Sequence, residues 1–96
     1  MIGVVATIKV HADKVEQFER VALELAASGK SNEPDCLLYC MTRSRSDPLT
    51  YRSLEIFGSQ AAIEQHMARE YFASAVERLR ACSGEEPTVE FMDTLE

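Results

Sequence analysis

Residues Cys36 to Arg43 alternate without offering a polar face: Leu37, Tyr39 and Met41 point one way, and Cys36, Leu38 and Cys40 point the other. A strand that is largely apolar on both faces needs cover on both, from a helix layer on one side and from a second sheet or a partner subunit on the other. A chain of 96 residues buries a smaller share of its surface than a large protein does and is often helped by oligomerisation. A single small domain that pairs with a second copy is therefore the first expectation.

The rest of the chain supplies the layers. Ile2, Val4, Ala6, Ile8 and Val10 alternate with Gly3, Val5, Thr7 and Lys9, the period of a strand with one firmly buried face. Asp13 with Glu16 three places on has the spacing of a capping box. Val15, Phe18, Val21, Ala22, Leu25 and Ala26 then recur at helical spacing, predicting an amphipathic helix to about Ala27 that Ser28-Gly29-Lys30 ends. Asn32 to Asp35 reads as a loop, because Pro34 disfavours helix at its predecessor and has no donor to give. The polar turn Ser44 to Leu49 joins the strand at Cys36 to another at Thr50 to Phe57 as a hairpin. On that strand Leu54 and Ile56 read as the helix-packing face, while Tyr51, Ser53, Glu55 and Phe57 have the mixed chemistry of a cavity lining.

Ser59 stands where a cap belongs, and the run to about Cys82 is helical, with Ala62, Ile63, His66 and Met67 on one stripe and Phe72, Ala75, Val76 and Leu79 continuing it. Ser83-Gly84 stops the helix, and Thr88 to Leu95 gives a last strand. The order strand, helix, strand, strand, helix, strand is that of an α+β, ferredoxin-like domain, an antiparallel sheet with helices on one face. Tyr39, Met41, Tyr51 and Phe57 are expected on the other sheet face, where an exposed apolar patch would mark an interface or pocket.

Several functions are excluded by what the chain lacks. A formal net charge of -6 with no run of Lys or Arg argues against a nucleic-acid partner. No apolar stretch approaches the roughly 20 residues that span a bilayer, and the N-terminus has no secretory lead, so no membrane partner and a cytoplasmic location are expected. Cys36, Cys40 and Cys82 form no C-x-x-C pair and read as small core hydrophobes in a reducing compartment. Gly29-Lys30-Ser31 resembles the end of a phosphate-binding loop, but Glu24 stands where its first glycine belongs. With only His11 and His66, no metal-ligand cluster forms within one chain, and no dinucleotide motif is present. An enzyme of this make-up works without a bound cofactor.

The stretch Glu33-Pro-Asp-Cys-Leu-Leu-Tyr39, the turn Asp47-Pro48, the strand Tyr51 to Phe57 centred on Glu55, Ala62 to His66, and Tyr71-Phe72 together resemble the antibiotic biosynthesis monooxygenase domain. Asp35, Phe57 and Tyr71 stand where that family has Gly, Trp and a second His, and the missing Trp sets the chain apart from the related haem-degrading branch. The resemblance implies a dimeric α/β barrel, a helix break near Ala68 to Glu70, and a small-molecule substrate, a phenol or quinol oxidised by dioxygen without metal or flavin. His66 is the candidate base, since imidazole ordinarily titrates at about 6.5, close to neutral, and Glu55 is the candidate to orient it or to act as base itself. Tyr39, Tyr51, Phe57 and Phe72 are expected to line the substrate cavity, and Tyr71 to donate a hydrogen bond to a substrate oxygen. Two other readings of His66 and Glu55 stand beside this one: the proton-shuttling pair of a hydroxy-ketone isomerase, or structural groups in a non-enzymatic ligand-binding or dimerisation module.

Overall fold

The computed structural model describes residues 1–96. Its elements are β1 (Ile2–Lys9), α1 (Val15–Asn32), β2 (Cys36–Arg43), β3 (Thr50–Phe57), α2 (Gln60–Ala68), α3 (Glu70–Arg80) and β4 (Thr88–Asp93). The four strands form one antiparallel sheet in the order β2-β3-β1-β4, the ferredoxin-like arrangement that the element order predicts. No helix is long and apolar enough to cross a membrane.

The sheet faces are the reverse of the expectation for β3. Register places Tyr51, Ser53, Glu55 and Phe57 beside Ile8, Ala6, Val4 and Ile2 of β1, and that side lies under the helices. Tyr51 and Phe57 are among the most buried side chains of the protein, whereas Leu54 is 40% exposed. Tyr39 and Met41 of β2 follow the same side and pack against the core. The aromatic rings offer the helices more apolar area than Leu54 and Ile56 would, so burying them is the better use of the covered face. The uncovered face is apolar too: Leu38, Leu54 and Met92 are 44%, 40% and 39% exposed on it.

Phe18 of α1 is fully buried and stacks on Tyr51 with ring centroids 4.7 Å apart. Around this pair gather Ile8, Val21, Leu25, Leu79 and Cys82, which joins α1 and α3 to the sheet. A smaller cluster of Val4, Phe57, Ala62 and Ile63 holds α2. Cys82 alone of the three cysteines is buried; Cys36 is intermediate and Cys40 exposed, which corrects the reading of all three as core.

Two helix boundaries also differ. A 3-10 turn at Ala12–Lys14 precedes α1, Lys14 N–H bonding to the His11 carbonyl, and Asp13 caps nothing. At the other end α1 runs through Ser28-Gly29-Lys30 to Asn32. Gly29 keeps a helical backbone, with no left-handed residue anywhere in the chain. It is buried, and a Cβ there would come within 3.7 Å of the Glu33 carboxylate. That is an ordinary van der Waals distance, so the position does not require glycine, and the helix runs through Gly29 despite its weak helix propensity. The helix break falls where the resemblance implies it: Arg69 is extended, with φ -70 and ψ 136, and separates α2 from α3.

Truncating Phe18 to Ala should cost about 3–5 kcal/mol in chemical denaturation, since it opens a cavity against Tyr51. Ser59 does cap α2, its Oγ accepting from Ala62 N–H at 3.1 Å. Ser59→Ala is therefore expected to lower stability by about 1 kcal/mol, a fall of roughly 4–8 °C in Tm by calorimetry, without altering the sheet.

Candidate active site

Ser59 fixes where α2 begins, and seven residues after it the helix presents His66 to the sheet, in its last turn and 3% exposed. The imidazole is enclosed by rings: Phe72 at 4.2 Å, Phe57 at 5.1 Å and Tyr39 at 5.8 Å between centroids. Its Nδ1 lies 2.9 and 3.1 Å from the two carboxylate oxygens of Glu33. Tyr71, at the start of α3, donates its hydroxyl to the same carboxylate. Nε2 is buried and finds no hydrogen-bond partner in the chain. When Nδ1–H is given to Glu33, the tautomer is set and the lone pair lies on Nε2.

Sequence reasoning does not single out Glu33. It stands before Pro34 in what reads as a loop, and its only signal is that it opens the Glu-Pro-Asp-Cys stretch. Glu55, expected to orient His66, is instead bonded to its neighbour on the strand, Ser53 Oγ donating to Oε2 at 2.7 Å. Burial is the main influence on the Glu55 carboxyl and raises its pKa; the Ser53 hydrogen bond and His66 pull it down, and Glu33 raises it further.

His66 and Glu55 open on a cavity of about 340 Å³ between sheet and helices, a size suited to a small organic ligand. Of its 20 lining residues 14 are hydrophobic, with Tyr39, Met41, Phe57 and Phe72 among them. Burial is the first cause that raises the Tyr39 pKa, with nearby Glu55 next, so its phenol stays a neutral hydrogen-bonding group. The Cys36 thiol is pushed up to about 11 by burial and by Glu33 and Glu55, which leaves it a poor nucleophile at neutral pH.

The structure therefore brings His66, Glu55, Tyr39, Phe57 and Phe72 to one cavity. Tyr51 is elsewhere: it packs on Phe18 and gives its hydroxyl to Glu19. Tyr71 reaches the site only through Glu33, whose carboxylate takes the hydroxyl that was expected to meet a substrate. Nowhere do three His, Cys, Asp or Glu side chains gather in a way that could hold a metal ion.

The sequence pattern of the antibiotic biosynthesis monooxygenases matches residues 1–78. A candidate antibiotic biosynthesis monooxygenase from Caulobacter crescentus superposes with a TM-score of 0.96 at 41% identity, over 99% of this chain and 90% of its own. A second such candidate, from Nitrosomonas europaea, shares the fold with a TM-score of 0.93 at 16% identity, each chain covered in full. A variant of SnoaB, a cofactor-independent oxygenase from Streptomyces nogalater, does so with a TM-score of 0.84 at 20% identity, over 99% of this chain and 93% of its own. No curated protein matches the sequence. With the family pattern spanning most of the chain, from β1 into α3, the protein belongs to the antibiotic biosynthesis monooxygenase family.

Proposed function

We propose that this protein is a cofactor-independent monooxygenase that oxidises a small phenolic or quinol ring with dioxygen. The observation that carries the reading is His66, which lines an apolar cavity with its Nε2 buried and unpartnered and its Nδ1 fixed by Glu33. The chemistry named for SnoaB, a fold relative, supports it.

In this reading His66 Nε2 takes the proton of a ring hydroxyl. The apolar walls keep water from solvating the resulting phenolate, so the anion stays electron-rich. It passes one electron to dioxygen, and the phenoxyl radical and superoxide combine through a new carbon–oxygen bond. The proton held on His66 returns to the peroxide; the hydrogen on the same ring carbon then leaves as a proton to the departing hydroxide as the O–O bond breaks, so the ring carbon becomes a carbonyl and one water leaves. Substrate carbon is oxidised, one oxygen atom is kept and the other is reduced to water, so the balance closes without another reductant. Glu33 and Tyr71 are positioning residues that hold the imidazole. Tyr39, Phe57 and Phe72 pack on the ring, and Tyr51 has no part in the reaction.

One observation favours a second reading. A buried carboxyl, Glu55, and a base, His66, share the cavity, which is the equipment for shuttling a proton along a hydroxy-ketone. The isomerase would exchange the substrate's α-hydrogen with deuterated solvent and consume no oxygen.

We also propose that the uncovered sheet face, with Leu38, Leu54 and Met92, seats a second copy of the chain, giving the dimeric barrel; the unpaired cysteines fit a cytoplasmic setting. A large exposed apolar surface of this kind is costly in a lone monomer.

Metal-free protein should take up oxygen saturably with hydroquinones or naphthols, above their autoxidation, and His66→Ala should lower kcat by roughly 10²–10⁴ with its far-UV spectrum intact. Uptake equal to the autoxidation background would rule the oxygenase out. Glu33→Gln should cut kcat by about tenfold or more while KM changes little, because it disturbs how the base is held and not how the ring is bound. On the sheet, Leu54→Asp is expected to shift the sedimentation mass from dimer to monomer.

A further inference from the structure

The sheet face that the helices leave open carries charge as well as apolar side chains, and register sets both out in rows across the strands. Leu38, Ile56 and Met92 share one row, Leu54 and Glu90 the next, and Arg52 stands in the row beyond, beside Thr42 and Thr7. A Cβ on Gly3 would come within 3.6 Å of Ile56 and 3.8 Å of Met92, which confirms that β3 and β4 present these side chains to the same side. Glu90 is the only acid on this face of the four strands. Lys9 and Arg52 are its only side-chain cations, and none of the three forms an ion pair within the chain.

A second copy that covers β4 takes Glu90 out of water. A carboxylate desolvated against apolar side chains is costly unless a cation comes to it. In a two-fold interface the same patch faces itself, so the group that meets Glu90 belongs to this same face. Lys9 is the last residue of β1, at the rim, whereas Arg52 adjoins the Leu54 row. Arg52 and Glu90 lie two strands and one row apart, about 12 Å at ordinary sheet spacing. A two-fold axis lying along the face midway between them exchanges the two. On such a sheet it passes beside Leu54 and between Leu38 and Ile56. One rotation thus sets the apolar centre against itself and brings each Glu90 to an arginine.

We infer that the second copy docks in the register that pairs Arg52 of one subunit with Glu90 of the partner subunit, twice about the two-fold. The apolar residues supply the attachment and the charges fix the orientation, because any other register leaves Glu90 covered without a partner. The inference rests on the reading that this face seats a second copy, and it adds which residues meet there.

The test is a charge swap read by sedimentation equilibrium. Arg52→Glu puts two acids at each contact and Glu90→Arg puts two arginines there. Either substitution alone should weaken the homodimer by roughly hundredfold or more. Mixed in equal amounts, the two variants should associate with each other to within about tenfold of the wild-type affinity, since every contact again joins opposite charges. The chain carrying both substitutions should recover in the same way. The inference is overturned if either single variant dimerises as tightly as the wild type, or if the mixture and the double variant stay monomeric. Both side chains are exposed, and association of the mixture itself shows that each variant is folded. Should one single variant fail to fold, the double variant, which keeps both charges on the face, decides. A monomeric wild type refutes the second copy and this pairing together. A wild-type dimer that Leu54→Asp dissociates and the single charge reversals do not refutes the pairing alone.

Discussion

The carboxylate of Glu33 is the knot of the structure. It is 7% exposed, and a carboxyl group taken that far from water must be repaid in hydrogen bonds. Its donors come from two helices, Nδ1 of His66 at the end of α2 and the hydroxyl of Tyr71 at the start of α3. Its own backbone ties two more elements, Glu33 N–H to the Gly29 carbonyl in α1 and the Glu33 carbonyl to Cys36 N–H at the head of β2. The extended Arg69 makes this convergence possible. On one continuous helix His66 and Tyr71, five residues apart, would lie about 140° apart around the axis and could not reach a common carboxylate. The break between α2 and α3 is thus what the shared bonding to the Glu33 carboxylate requires, and Arg69 reinforces it by reaching the Asn32 carbonyl at 3.4 Å.

Two glutamates near His66 are treated in opposite ways. Glu33 is surrounded by donors and serves as an acceptor that orients the His66 imidazole. Glu55 lies on the sheet among apolar side chains with a single hydroxyl for company, and burial governs its protonation. Identical side chains thus take different chemistry from the number of donors aimed at each. The apolar walls contributed by Tyr39, Phe57 and Phe72 strengthen both effects by keeping the local dielectric low.

Much of the fold is legible in the sequence. Strand and helix periods, the Ser59 cap and the Asp47-Pro48 turn are local signals, and each element stands close to where its signal lies; the break near Arg69 is not, since no Pro or Gly interrupts that run and only the family resemblance implies it. The orientation of β3 is not local. Period two separates Tyr51, Ser53, Glu55 and Phe57 from Leu54 and Ile56, but both sets contain apolar residues, and only pairing with β1 decides which set goes under the helices. The Glu33–His66 pair spans 33 positions, so no window of sequence displays it, and a glutamate ahead of a proline carries no periodic mark. A lone His on an apolar stripe reads by itself as a packed structural residue, and it is the family resemblance that makes His66 the candidate base. Its partner was not visible, because the chain has many acidic residues and nothing short of tertiary packing distinguishes one of them. Tyr51 shows the converse: an aromatic on the correct side of the sheet, removed from the cavity by Phe18.

The edge strand β4 has a consequence for traffic. Val89 and Phe91 lie on the helix side of the sheet and line the cavity, yet they are 53% and 56% exposed, because the helices do not extend over them. One flank of the binding space is therefore walled by side chains that already meet solvent. A small apolar ligand can slide in along the strand while α1, α2 and α3 keep their packing. Exchange through such a flank needs no closing segment, so residence time depends on how much apolar contact a ligand gives up as it leaves.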